Sequence, residues 1–155
     1  MDELEKIDAR GVFFISVFEY KNYGKEQMRN LCNSILNRGH DIELHIHPAR
    51  AFDLDRPYLY QYTLSEQKAI IKEGAALITE FTGQNPIALR VGAYGINNNT
   101  FLALSDVGIP IDSSIYCGCA NSKLVRPINS VSEKDGIIEF PITVFGRKKM
   151  IRFFG

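Results

Sequence analysis

The chain reads as an α/β protein with a mainly parallel sheet. Two patterns predict it. Segments of helical periodicity alternate with short apolar runs rich in β-branched and aromatic residues. Those runs lack the in-out alternation of a half-wet sheet, as expected of strands covered on both faces. A third observation bounds the size: 155 residues, 45% hydrophobic, make one domain, spanning 1–155, with a real core.

Taken in order, residues 2–10 read as a short helix, with Leu4 and Ile7 apolar and Gly11 at its end. Val12 to Phe18 is a near-continuous apolar run, the mark of a strand buried on both faces. Tyr20 to Gly24 reads as a loop. From Lys25 to Arg38, Met28, Leu31, Cys32, Ile35 and Leu36 follow helical spacing, and Gly39 stops the helix. Asp41 to Ile46 is the second strand, halted by Pro48. Ala49 to Tyr62 is a long segment carrying Phe52, Tyr58, Tyr60 and Tyr62, and loops this long are uncommon unless functional or mobile. Thr63 and Glu66 have capping-box spacing and open a third helix, with Ile70, Leu77, Ile78 and Phe81 inward and Gly83 at its end. Ile87 to Val91 is a strand, and Gly92-Ala93-Tyr94-Gly95 a turn. Asn97 caps a short helix through Val107. Ile109 to Ile111 starts another strand, and Ile137 to Val144 is the last, after a Lys134-Asp135-Gly136 turn.

Charge excludes some functions. Lys+Arg and Asp+Glu are both 18, so no basic field favours nucleic acid or an anionic membrane surface. No apolar run reaches the roughly 18 residues of a membrane span. The acidic start lacks the order of a signal peptide. Cys32 falls on an apolar helical face and reads as core. Cys117-Gly118-Cys119 is too tight for an ordinary structural bridge, with metal binding as the alternative. These thiols and the missing leader lead to the expectation of a cytoplasmic protein.

Leu44-His45-Ile46-His47-Pro48 is the most informative segment. The 3 histidines of the chain fall at 40, 45 and 47. His45 and His47, two apart on a strand, project to the same side, where neutral imidazoles can share one divalent ion. Polar residues at a sheet edge are the alternative. In an open parallel sheet the carboxyl ends of the strands gather on one edge, where sites form. His45, His47, Arg90 and the glycine-rich turn after it share that edge. The chain opens on a helix and stops soon after a strand, as if cut from a larger unit. The expectation is therefore a domain lacking its first strand and its C-terminal part, with a homo-oligomer completing the exposed sheet edges.

Four segments together resemble the polysaccharide deacetylases. Gly11-Val12-Phe13-Phe14-Ile15 is similar to the family's GVxATFF strand. Gly39-His40-Asp41-Ile42-Glu43-Leu44-His45-Ile46-His47-Pro48 resembles its metal segment, in the form of an HxHP-type subgroup. Leu89-Arg90-Val91-Gly92-Ala93-Tyr94-Gly95, followed by Asp112-Ser113-Ser114, is similar to its arginine motif. Ile138-Glu139-Phe140-Pro141 is similar to its E(I/F)P strand.

The resemblance implies a partial deformed (β/α) barrel and a metal-dependent hydrolase cleaving the C–N amide bond of an N-acetylated sugar. His45 matches the first metal histidine. The usual second, four residues on, is Ala49 here, and His47 stands in for it. Zinc is the implied ion. Arg90 matches the arginine that orients the catalytic base, and Tyr94 the residue whose backbone N–H helps hold the oxyanion. The paired aspartates and the late acid histidine of the family have no counterpart in the chain. Tyr58 and Tyr60 are the candidate substrate-binding residues, flat rings on which a sugar can stack; packing of the long segment is the alternative. His40 reads as a solvated loop residue and Asp112 as a turn or cap residue. Two other readings follow from the missing residues: a non-catalytic descendant that binds a glycan or a partner, or a different hydrolase that recruits a carboxylate from Asp53, Asp55 or Glu43, the last giving a Glu43, His45, His47 metal set.

Overall fold

The computed structural model describes residues 2–124, 129–145 and 149–150. Helix α1 is Asp2–Glu5, shorter than the periodicity suggests, because Asp8 turns left-handed (φ 53°). Strand β1 is Val12–Ser16. The apolar run continues through Val17 and Phe18, but these form a 3-10 turn and bury in the core. An apolar run alone does not separate strand from buried turn. Residues expected as loop form helix α2, Tyr20–Tyr23, before α3, Lys25–Leu36. Strand β2, Asp41–Ile46, follows.

The long segment is more structured than expected. It holds α4, Pro48–Ala51, and a 3-10 turn at Leu59–Gln61. Arg56 ties it down by bonding Asp53 (2.7 Å) and Glu66 (2.9 Å). Helix α5, Leu64–Thr82, starts at the expected capping box: Glu66 accepts from the Thr63 N–H at 2.8 Å. Strand β3 is Ala88–Val91, α6 is Asn98–Val107 and β4 is Ile111–Asp112.

The end of the chain departs most from expectation. Strand β5, Ser132–Lys134, has no counterpart among the expected strands. It pairs antiparallel with β6, Ile137–Glu139. Asp135 and Gly136 both have positive φ, as a two-residue hairpin requires. The expected strand over 137–144 is broken after Glu139, where Pro141 removes a ladder donor. Strands β7, Val144–Phe145, and β8, Lys149–Met150, form a separate ribbon. The terminal residues 151–155, read above as a cut end, lie outside the described residues.

The main sheet runs β1-β2-β3-β4-β6-β5, all parallel except β5. It is open rather than closed, with β1 and β5 at its edges. Ile42, Leu44 and Ile46 of β2 project to one face and bury in the core with Ile71, Leu77 and Ile78 of α5. Gly74 allows this approach: a Cβ there would stand 3.0 Å from Leu44 Cδ1. Each such aliphatic side chain contributes about 1.5–3 kcal/mol on burial, so this face fixes the register of β2. Alternation then sends Glu43, His45 and His47 to the opposite face. No described helix is long and apolar enough to cross a membrane.

Candidate functional site

The parallel register sets His45 between Ser16 of β1 and Arg90 of β3. These residues lie at the carboxyl ends of their strands, as the alternation of helices and strands implies.

His45 Nε2 and His47 Nε2 are 3.0 Å apart, with the rings edge to face. Two nitrogens on one tetrahedral zinc ion lie about 3.3 Å apart, since each Zn–N bond is about 2.0–2.1 Å. The pair therefore fits one edge of a coordination shell. Burial, then the neighbouring His47, pushes the His45 pKa down to about 4. It is neutral near pH 7, the form that ligates a metal. Its Nδ1 is buried without a hydrogen-bond partner, and the Arg90 backbone pulls the pKa back upward. The donor set stops at two. Among the described residues no three His, Cys, Asp or Glu side chains converge.

Glu43 shares the face of the pair but is otherwise engaged. Its Oε2 accepts from the Ile87 and Ala88 N–H groups, both at 2.8 Å. It locks the start of β3 to β2, which argues against the Glu43, His45, His47 metal set.

Arg90 is held from two sides. Its Nε donates to the Ser113 carbonyl (3.1 Å) and its Nη2 to Ser113 Oγ (2.7 Å). Its guanidinium lies 4.3 Å from the centre of the Phe14 ring. Burial lowers its pKa, while Tyr94, Asp112 and Glu139 raise it. Ser113 passes the restraint on, donating to the Phe140 carbonyl at 2.7 Å.

The turn after β3 is strained. Ala93 (φ 52°) and Tyr94 (φ 57°) are both left-handed, a state that L residues other than Gly, Asn and Asp rarely adopt. Non-glycine residues persist there only when their surroundings hold them. The restraints come from both flanks: Tyr60 N–H donates to the Gly95 carbonyl (2.9 Å) and Asn121 to the Ala93 carbonyl (3.0 Å). The turn is also a bed for two candidate side chains. A Cβ on Gly92 would stand 2.3 Å from His47 Nδ1, and one on Gly95 would stand 2.8 Å from Tyr58 Cβ. Tyr58 and Tyr60 stack near-parallel, 5.3 Å between centres and 9° apart. Lys123 Nζ stands 5.3 Å from the Tyr60 ring. Tyr94 meets Tyr116 edge-on at 5.2 Å.

The structure thus brings His45, His47 and Arg90 together and sets Tyr58, Tyr60 and Tyr94 on or beside one turn. It corrects one expectation. His40 is buried, not solvated: its ring packs on Phe13 at 5.3 Å, and its Nδ1 accepts from the Gly11 N–H. Asp112, read as a turn or cap residue, ends β4 and accepts from the Ser114 N–H two residues on at 3.2 Å, the bond of an Asx turn, and it is buried opposite Glu139. Sequence reasoning also missed Gly92 and Ser113 as supports of His47 and Arg90. The signal for Ser113 was present, since it follows β4 in line with Arg90.

No protein-family model matches the sequence, and no curated protein matches it. Solved structures do. A protein assigned as a polysaccharide deacetylase from Mycobacterium smegmatis aligns with a TM-score of 0.65 at 20% identity, over 90% of this chain and 43% of that one. A family 4 carbohydrate esterase from Streptomyces lividans, solved with acetate, gives 0.57 at 15% identity, over 72% of this chain and 52% of the other. A mutant of a CE4-family pseudoenzyme gives 0.55 at 13% identity, over 68% and 34%. The chain has the polysaccharide deacetylase fold. It spans about a third to a half of the length of these three structures. In this version of the deacetylase fold the described sheet is open, and the site edge faces out from the ends of β1 to β4.

Proposed function

We propose that the domain is a metal-dependent, carbohydrate N-deacetylase-like hydrolase that cleaves the C–N bond of an acetamido group on an N-acetylated sugar. The observation that carries the reading is the convergence of His45 Nε2 and His47 Nε2 beside Arg90, at the foot of a strained turn. His45 and His47 hold a divalent ion, zinc by donor type. When bound, such an ion polarises a carbonyl and acidifies water. Arg90, fixed by Ser113 and Phe14, keeps N–H groups beyond those bonds to attract a carboxylate or an acetyl oxygen. The Tyr94 backbone N–H supplies an oxyanion donor. Tyr58 and Tyr60 offer ring faces to the sugar. Support for the substrate class comes from structures of the same fold described as deacetylases, one of them from Streptococcus pyogenes with acetate bound. The cytoplasm is the proposed compartment, on thiol content, and a second copy of the chain is the proposed cover for the β1 edge.

Two observations favour a second reading. No third ligand joins the histidine pair among the described residues, and one structure of this fold is described as a pseudoenzyme. A domain that binds a glycan without cleaving it fits that arrangement.

Metal content and zinc affinity of the purified chain, beside a His45→Ala, His47→Ala double variant, test the metal site. The expected result is a near-stoichiometric ion that the double variant loses, with acetate released from N-acetylglucosamine oligomers. A chain that stays metal-free in saturating zinc and releases no acetate overturns the hydrolase. Oligomer binding that persists in chelator then establishes the second reading.

A further inference from the structure

We infer that Cys117 and Cys119 form a reversible disulfide, a redox modification site on the rim of the candidate site that exchanges with small-molecule disulfides of the glutathione class. The two residues flank Gly118 in a tight turn beyond β4. The turn is closed by the Cys119 N–H on the Tyr116 carbonyl at 3.0 Å, and Gly118 sits at φ 85°. Glycine adopts that conformation without penalty. Both cysteines are half-exposed, whereas Cys32 is buried inside α3.

Two residues span at most about 7 Å when extended. A turn shortens that toward the roughly 4.4–6.8 Å between Cα atoms that a disulfide bridges. The closed loop is too short to stabilise the fold much by restraining the unfolded chain. Exposed or strained disulfides have the higher reduction potentials and are the labile ones. The pair is therefore suited to switching rather than to stapling.

The chemistry balances without a metal. The thiolate of one cysteine attacks a sulfur of the small disulfide and expels one thiolate, leaving a mixed disulfide. The second cysteine, as its thiolate, attacks the protein sulfur of that bond and expels the other half. Two protein thiols are oxidised and one small disulfide is reduced to two thiols.

The pair has a route to the site. Tyr116 opens the turn, bridges to Ile142, and meets the Tyr94 ring edge-on at 5.2 Å. Closing the bond changes the dihedrals of residues 117–119 and shifts Tyr116 against Tyr94. The meaning of that shift for the site rests on the function proposed above; formation of the disulfide does not.

The test incubates the full chain in glutathione buffers of rising oxidised fraction, followed by acid quench, intact mass and peptide mapping. The expected product has lost two hydrogen masses, both within the peptide holding Cys117 and Cys119, and recovers them in reductant. Cys117→Ser and Cys119→Ser chains each gain one glutathione instead. A wild-type chain that stays reduced in excess oxidant, or gathers only mixed glutathione disulfides, overturns the site. Ring resonances of Tyr94 and Tyr116 followed by NMR read the coupling. Both move on oxidation if the route exists, and an unmoved Tyr94 overturns it.

Discussion

His47 rests on a glycine, and that single contact makes the site testable. The methyl group of an alanine at Gly92 would stand 2.3 Å from His47 Nδ1 and 2.5 Å from Cε1, far inside van der Waals contact. Gly92 is not among the positive-φ residues, so alanine fits its backbone and the strain falls on the imidazole. Gly92→Ala should therefore turn His47 away from His45 and weaken zinc binding about 10–100-fold, as loss of supporting contacts does at other metal sites. Competition titration measures it, and circular dichroism checks that the fold persists. Gly95→Ala displaces Tyr58 instead and should leave zinc affinity unchanged, whereas equal losses in both variants would mean general damage to the turn. Part of this site was legible in the sequence. The two-residue spacing of His45 and His47 on a strand fixes their common side, and strand direction brings Arg90 alongside. Spacing is silent on partners that cross the sheet. Glu43 looked available because it shares the histidine face, yet its carboxylate is spent on the N–H groups of Ile87 and Ala88. His40 reads as solvated because it stands in the loop before a strand, yet it packs on Phe13 from β1.

The turn from Gly92 to Gly95 is the element on which the site depends, and it is strained where side chains are least needed. Ala93 is exposed and left-handed, so its conformation serves the turn and not a packing contact. Left-handed backbone costs a non-glycine residue about 1–2 kcal/mol. Glycine's extra freedom in the unfolded chain returns about 0.5–1 kcal/mol of that. Ala93→Gly should thus stabilise the protein by about 0.5–1 kcal/mol, read from the urea midpoint at unchanged slope. A loss of stability would show that the Ala93 methyl group packs against the site. Elsewhere, legibility followed periodicity and capping. The span of α5 could be read from Thr63, Glu66 and Gly83, because the capping box and the left-handed stop are local chemistry. Val17 and Phe18 could not be separated from β1, since burial in a turn and burial in a strand leave the same apolar run. β5 is not legible because Ser132-Glu133-Lys134 carries no apolar signal and joins the sheet through its hairpin partner.

At the scale of the whole molecule, stability carries the mark of a buried carboxyl pair. Asp112 and Glu139 face each other across β4 and β6, 0% and 1% exposed. Asp112 accepts from Ser114 Oγ at 2.7 Å, and Glu139 Oε1 from the Ile115 N–H at 3.0 Å. Glu139 Oε2 is buried and receives no hydrogen bond, and the Asp112 carboxyl acts on Glu139 from across the strands. One proton held between them satisfies both groups and leaves a single negative charge, which Arg90 attracts. Burial, then the charge of Asp112, pushes the Glu139 pKa up to about 10. The folded protein thus holds a proton that the unfolded chain releases above its ordinary carboxyl pKa of 4.5. Stability from this proton is complete below that pH and is lost as pH rises through the folded value. The slope is at most about 1.4 kcal/mol per pH unit for one proton. Glu139→Gln keeps the acceptor for Ile115 and sets an amide donor where Oε2 stood, replacing the shared proton with a permanent one. Urea unfolding between pH 6 and pH 9 should show the wild-type protein losing stability with rising pH and the variant losing less. Parallel curves would mean that both carboxyls are already ionised in the folded protein, with the pair held by Arg90 alone.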